Sequence, residues 1–356
     1  MLYITYNSIN ISVGVRKKIK AQCRAFQKVF GHAYYTLYCG QMLYLLQEEQ
    51  IIDKEFANTK KMCNEILLQW TEKYNISKIY IRYIVSDIWF VEFLEELKNR
   101  NIKCVLEFPS YPYDGEGWRK KAIEDNYYRE QMHQFVDQCT TYSNLKTVLG
   151  IPCITLVNGV DMREQPEKKI RKKDGSIVLL AVASMAQWHG YERIIKGMHN
   201  YYSNNGKKNI VFHMVGKGVE LQYYNQLVDT YQLYEHVFFH GQLEGEKLDV
   251  IYNNSDIAIG SLGFYKSGYH SGAPIKLREY CARGIPFVYG YEDISFQEKD
   301  YFACKVSNDS VPIDINTMIE FYESVYNRDF VKDMRQYTLS YLTWDRILQP
   351  VIDYLR

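Results

Sequence analysis

Proline is scarce, with 8 residues in 356, and no apolar run approaches the roughly 18 to 20 residues that cross a bilayer. Proline-rich and membrane-spanning helical classes are therefore excluded. Met1-Leu2-Tyr3-Ile4-Thr5-Tyr6 has neither the basic head nor the small-residue cleavage site of a secretory signal, so the chain is expected in the cytoplasm. Excess charge is missing too, since 43 Lys plus Arg stand against 42 Asp plus Glu, and nothing global favours nucleic acid. None of the eight cysteines forms a Cys-x-x-Cys pair, which argues against a zinc cluster or disulfide framework. Asp-x-Asp is also absent, and with it the usual carboxylate pair that fixes a divalent metal on phosphates.

What is present is a hydrophobic fraction of 47%, enough for real cores at a length that normally divides into two domains. Short β-branched or aromatic runs alternate with amphipathic stretches throughout, the pattern of parallel sheets covered by helices on both faces. In the first half strands are expected at 1–6, 33–39, 78–84, 102–108, 138–142 and 153–157, with helices near 15–30, 54–73, 87–100, 119–136 and 143–149. Arg163 to Asp174 carries nine charges in twelve residues and reads as a solvated connection. After it the alternation resumes, with strands at 177–183, 210–215, 236–240, 256–261, 286–289 and 302–306. Helices fit at 190–204, 219–233, 245–252, 274–283, 315–327 and 329–339. The expectation is two doubly wound α/β domains, 1–160 and 161–343, with a terminal helix in 344–356 packing back on the first. Ligands in such sheets sit beyond the carboxyl ends of the strands.

Two segments there carry chemistry. Val215-Gly216-Lys217-Gly218 follows a strand and opens a helix, a turn that can bring backbone N–H groups near a phosphate. It lacks the third glycine of a dinucleotide fingerprint, and such a loop is often only a turn. The richer segment is Ser271-Gly272-Ala273-Pro274-Ile275-Lys276-Leu277-Arg278-Glu279-Tyr280, continuing through Ala282-Arg283-Gly284-Ile285-Pro286. Pro274 suits a helix start and Gly284-Ile285-Pro286 a stop. Glu279 then lies one turn beyond Lys276, a spacing that a plain surface ion pair also satisfies.

This helix resembles the signature helix of family 4-like glycosyltransferases with the GT-B fold, particularly bacterial polysaccharide-assembly enzymes. Asn158-Gly159-Val160-Asp161, Trp188-His189-Gly190-Tyr191-Glu192-Arg193, Val215-Gly216-Lys217-Gly218 and His240-Gly241-Gln242-Leu243 match in family order. The resemblance implies two Rossmann-like domains facing across a cleft, the second binding a nucleoside-diphosphate sugar, with UDP preferred. It places Glu279 on the ribose hydroxyls, where an acceptor-only carboxylate suits two O–H donors. Lys276, His189, Arg193 and Lys217 become candidates to neutralise the diphosphate. Gly14, Gly216, Gly218, Gln242, Leu243, Ser271, Gly272, Ala273 and Pro274 complete the expected donor site. The chain departs from the family at Ser271, where a second Glu is common, and at Ser184 and His189, where Arg and Lys are common. The resemblance further implies a metal-independent, retaining transfer without a cofactor.

The acceptor side is expected in the aromatic and acidic loop after the fourth strand, with Glu107, Tyr113 and Asp114 as candidates; packed aromatics with solvated acids fit that composition equally. On the first helix Lys17, Lys20, Arg24 and Lys28 fall in one stripe, opposite Ile19, Cys23, Phe26 and Phe30. With Arg119-Lys120-Lys121 it could seat the protein on anionic lipid, although a basic stripe is ordinarily a solvated face. The expected activity is sugar transfer to a lipid-linked or growing cell-surface polysaccharide. The alternatives are a non-catalytic subunit that binds sugar or stabilises a partner transferase, and a nucleotide-sugar epimerase.

Overall fold

The structure is a computed structural model describing residues 1–6, 13–48, 50–111, 122–172 and 174–356. The chain forms two compact units, Met1–Asn158 with Trp344–Arg356, and Gly159–Thr343.

In the first unit the described strands are β1 (Leu2–Thr5), β2 (Tyr34–Cys39), β3 (Met42–Gln47), β4 (Gln50–Phe56), β5 (Lys78–Arg82), β6 (Lys103–Phe108), β7 (Gln138–Thr141), β8 (Thr147–Val148) and β9 (Ile151–Thr155). They join in the order β4-β3-β2-β1-β5-β6-β7-β9-β8. Helices α1 (Val13–Phe30), α2 (Lys60–Lys73), α3 (Ile88–Asn99) and α4 (Ala122–Arg129) accompany them. On one side of the sheet Leu67, Trp70, Phe90 and Leu94 pack under α2 and α3. On the other, Ile19, Cys23 and Phe26 of α1 join Trp344, Leu348, Val351, Ile352 and Leu355 from the short helices Trp344–Ile347 and Gln349–Leu355.

Three sequence expectations fail here. β3 and β4 run antiparallel at one edge, where only parallel strands were expected. Gln50–Phe56 is an exposed polar edge strand, so it lacks the apolar run that marks a buried strand. The helix expected from 54 starts at Lys60, because the Thr59 hydroxyl accepts from the Met62 N–H and fixes the start. The helix expected at 143–149 is instead the β8–β9 hairpin, whose turn residues Leu149 and Gly150 both have positive φ.

The second unit joins β10 (Ser176–Val182), β11 (Asn209–Val215), β12 (Val237–Phe239), β13 (Ile257–Ile259), β14 (Phe287–Tyr289) and β15 (Ala303–Lys305) in the order β12-β11-β10-β13-β14-β15, every pair parallel. Its helices are α5 (Glu192–Ser203), α6 (Leu221–Tyr231), α7 (Gly245–Asn253), α8 (Ile275–Arg283), α9 (Ile315–Tyr326) and α10 (Phe330–Tyr337). Ile177, Leu179, Phe212, Ile257, Leu277 and Phe287 lie in its core. The order turns in one direction from β10 to β11 and in the other from β10 to β13. Such a reversal, here at the carboxyl ends of β10 and β13, is where doubly wound sheets bind ligands. The first unit reverses likewise between β1 and β5.

Candidate functional site

At the reversal of the second unit, the loop after β10 and the loop after β13 are laced together by backbone bonds. Leu262 donates to the His189 carbonyl at 2.8 Å and Gly263 to the Trp188 carbonyl at 3.2 Å. So close an approach has no room for side chains: a Cβ on Gly190, which sits at φ +62°, would lie 2.6 Å from the Gly263 nitrogen. The lacing holds His189 buried, with its ring parallel to Tyr191.

His189 Nδ1 lies 3.0 Å from the Ser261 hydroxyl and 3.0 Å from Lys276 Nζ. Burial first, then the Lys276 charge, push the imidazole pKa down to about 2, outweighing a backbone hydrogen bond to Ser184. A neutral ring facing an ammonium must accept at Nδ1. Desolvation thus works against the positive charge expected of His189 at a diphosphate. Its Nδ1 faces the Lys276 ammonium instead. Lys276, half-buried on the first turn of α8, also reaches the Tyr191 hydroxyl at 3.3 Å. Burial brings its pKa down to about 7, against the raising influence of the Glu279 carboxylate.

Helix α8 begins after Pro274 without a side-chain cap on its first turn, so the N–H groups of Ile275, Lys276 and Leu277 make up the positive end of the helix dipole. Its orientation is set from behind. Arg278 is fully buried and forms a two-pronged ion pair with Asp293, while its guanidinium lies over the Phe296 ring. The half-buried Glu279 lies on the helix with Lys276. Gly272 donates to the Glu292 carbonyl at 2.9 Å, and Ser271 is exposed beside it. Ala273 and Pro274 are half-buried between that contact and the helix.

The structure reassigns several expected residues. Arg193 is buried and directs Nε to the Val311 carbonyl, Nη1 to the carbonyls of Leu262 and Ser307, and Nη2 to Ser307 Oγ and Asp309. All five donors of the guanidinium are occupied, so it braces loops and is not available to a phosphate. Gly216, at φ +128°, would place a Cβ 1.9 Å from the Ala183 carbonyl oxygen, and Gly218 one 2.2 Å from that of Met185. The Gly216 N–H is bonded to the Gly241 carbonyl at 2.7 Å. These glycines let two loops pack, whatever else they do. Lys217 and Ser184 are exposed; Gln242 donates to Glu244, and Leu243 packs on the core.

In the first unit Gly14 lies inside the first turn of α1 and not in a turn before it, and among the described residues a Cβ added there would meet nothing within 4 Å. Glu107, expected in an exposed acceptor loop, is fully buried within β6. It takes Lys18 at 3.3 Å, Arg82 at 3.1 Å and hydroxyl bonds from Tyr3 and Tyr142 at 2.7 Å each. Burial alone would raise its pKa, but Lys18, Arg82 and the two hydroxyls bring it down to about 2. Tyr113, Asp114 and Arg119-Lys120-Lys121 lie outside the described residues. Of the basic stripe, Lys17 is exposed, Lys20 and Arg24 are half-buried, and Lys28 is paired with Asp345.

Sequence reasoning missed Ser261, Lys18 and Arg82. Ser261 carried a faint signal, a hydroxyl between two glycines just past a strand; the other two carried none.

Residues 162–293 match the family described as glycosyl transferases group 1. No curated protein matches the chain by sequence. Among solved structures, a glycosyltransferase from Rickettsia africae is 14% identical with a TM-score of 0.68, over 99% of this chain and 97% of that one. A structure of Anabaena HepE in complex with UDP is 11% identical with a TM-score of 0.67, over 99% and 98%. WaaG, a glycosyltransferase involved in lipopolysaccharide biosynthesis, is 11% identical with a TM-score of 0.56, over 99% of each chain. The fold is that of the GT-B glycosyltransferases. Among the described residues no cluster of three or more His, Cys, Asp or Glu side chains could hold a metal ion, and no helix is long and apolar enough to cross a membrane.

Proposed function

We propose that the chain is a retaining glycosyltransferase, taking a sugar from a nucleoside-diphosphate donor, UDP favoured, to a hydroxyl of a lipid-linked or growing cell-surface polysaccharide. The observation that carries this reading is the ammonium of Lys276, held 3.0 Å from a neutral His189 at the sheet reversal and on the uncapped first turn of a helix. A cation and helix N–H groups together suit a diphosphate. The match over residues 162–293 and the UDP complex of Anabaena HepE support the donor class.

In the reaction, the bond between the anomeric carbon and the diphosphate oxygen breaks while the acceptor oxygen bonds to that carbon. The hydroxyl proton passes to the departing phosphate oxygen. Lys276 and the first turn of α8 stabilise the charge that develops on the leaving group, the role a metal fills elsewhere. Glu279 accepts from the ribose hydroxyls. His189 is a positioning residue.

The test is release of UDP from a panel of UDP-sugars, with and without EDTA, followed by product analysis. Release that survives EDTA, with retained configuration in the new linkage, fits the proposal. A donor that is bound and never consumed favours the non-catalytic alternative, for which the exposed Ser271 in place of a carboxylate is the supporting observation. Attachment to an anionic surface through Lys17, Lys20, Arg24 and Lys28 belongs to the same proposal. It is checked by sedimentation of wild-type and Lys17→Glu/Lys20→Glu protein with phosphatidylserine vesicles.

A further inference from the structure

In the first unit two buried cations share the carboxylate of Glu107. Glu107 lies at the carboxyl end of β6, beside Arg82 at the end of β5, Tyr3 on β1 and Tyr142 just after β7, with Lys18 and Gln22 reaching in from α1. Lys18, Arg82 and Tyr142 all crowd one oxygen, Oε1, whereas Oε2 takes only Tyr3. Lys18 Nζ also lies 3.7 Å from the centre of the Tyr142 ring, a contact that partly replaces lost water.

Two cations with 9% exposure each face one carboxylate with none. Among the described residues, each makes a single ion pair, both with Glu107. An ammonium has three donors and a guanidinium five, more than one carboxylate takes up. Burying a second cation carries a desolvation penalty that the shared carboxylate has to offset. Such a surplus is out of place in a purely structural network, which one cation would have neutralised. Its location is the reversal between β1 and β5, where doubly wound sheets take ligands. Lys18 bears the penalty, its pKa lowered by burial to about 8 in spite of Glu107, with Arg82 adding to the fall, whereas Glu107 raises the pKa of Arg82 against burial.

We propose that Lys18 and Arg82 form a subsite for an oxyanionic group, a carboxylate or a phosphate, carried by the acceptor saccharide. Glu107 aims the two cations and leaves one positive charge for the ligand. The assignment to an acceptor rests on the glycosyltransferase reading; the anion preference itself does not.

The test uses the full chain with UDP present to fill the donor site, its own affinity measured first. Glucuronate, glucose 6-phosphate and neutral glucose are then titrated by calorimetry or ligand-observed NMR. At least one anionic sugar should bind ten times more tightly than glucose, and which one does separates carboxylate from phosphate. Arg82→Gln and Lys18→Met, each leaving Glu107 one cation, should cut that preference at least tenfold while UDP affinity stays at the wild-type value. Arg82→Lys covers failure of Arg82→Gln to fold: it keeps the charge but not the fork, and the preference should fall several-fold. No anion preference in the wild type, or a preference unchanged in the folded variants, overturns the proposal. Anion preference without UDP binding would leave the subsite standing and sink the donor assignment.

Discussion

Lys276 Nζ and His189 Nδ1 meet at 3.0 Å although 87 residues separate them. Burial lowers both pKa values, the imidazole to about 2 and the ammonium to about 7. Tyr191 and Glu279 are the other titratable groups facing the lysine.

A diphosphate ester binds the ammonium form, so binding raises the Lys276 pKa above its free value of about 7. Affinity should therefore be full below pH 7 and fall as pH rises through that value. A UDP-sugar, unlike UDP, has no phosphate group titrating in this range, so the slope reports the protein. Between pH 6 and 8.5 its dissociation constant should rise by up to about tenfold per unit above 7, and Lys276→Met should flatten the profile. A flat wild-type profile would remove Lys276 from the donor site.

Glu279 gives a second reading of that site. Charge-assisted hydrogen bonds contribute roughly 1.5 to 3 kcal/mol each, so Glu279→Ala should weaken UDP-sugar binding by tens to hundreds of fold. Glu279→Gln should be milder, because its amide keeps one acceptor. Calorimetry giving the Ala variant wild-type affinity would return Glu279 to the role of a structural neighbour of Lys276.

Arg193 should behave in the opposite way. Arg193→Ala strands the carbonyls of Leu262, Ser307 and Val311, and loss of a buried multi-bonded cation costs about 3 to 5 kcal/mol. Urea unfolding should register that loss. Arg193→Lys should recover little of it, lacking the fork. A stable Arg193→Ala variant with weakened donor binding would restore its phosphate role.

Two glycines separate packing from ligand approach. Gly216→Ala puts a methyl against the Ala183 carbonyl and should lower the melting temperature by several degrees, about 2 kcal/mol or more. Gly14→Ala falls in a helical turn, with no atom of the described residues within 4 Å of the added methyl, and should be neutral or stabilising by up to about 1 kcal/mol. If turnover drops in that stable variant, Gly14 is where a ligand comes close.

The second unit was legible because its elements announce themselves. The segment Pro274 to Pro286 carries its own helix start and stop, and α8 spans Ile275–Arg283, one residue shorter at its start than the expected 274–283. What no local pattern could show was partnership. Lys18 and Glu107 are 89 positions apart, and an acid in an aromatic setting past a strand looks solvated until its cation is found. Arg193 misled for the same reason, since its acceptors lie from Leu262 to Val311. Strand β4 escaped because an exposed edge strand need not be apolar, whereas the apolar run of β3 carried a readable signal.

The chain's last helices finish the core of its first unit. Trp344, Leu348, Val351, Ile352 and Leu355 are buried there, and at about 1.5 to 3 kcal/mol per buried side chain they contribute about 8 to 15 kcal/mol, comparable to the net stability of a whole domain. During synthesis, then, residues 1–158 must wait on the ribosome with an open flank until the entire second unit has emerged. The unit made first matures last, and Cys23, Phe26 and Ile19 on α1 are the surface a chaperone would have to shield in the interval.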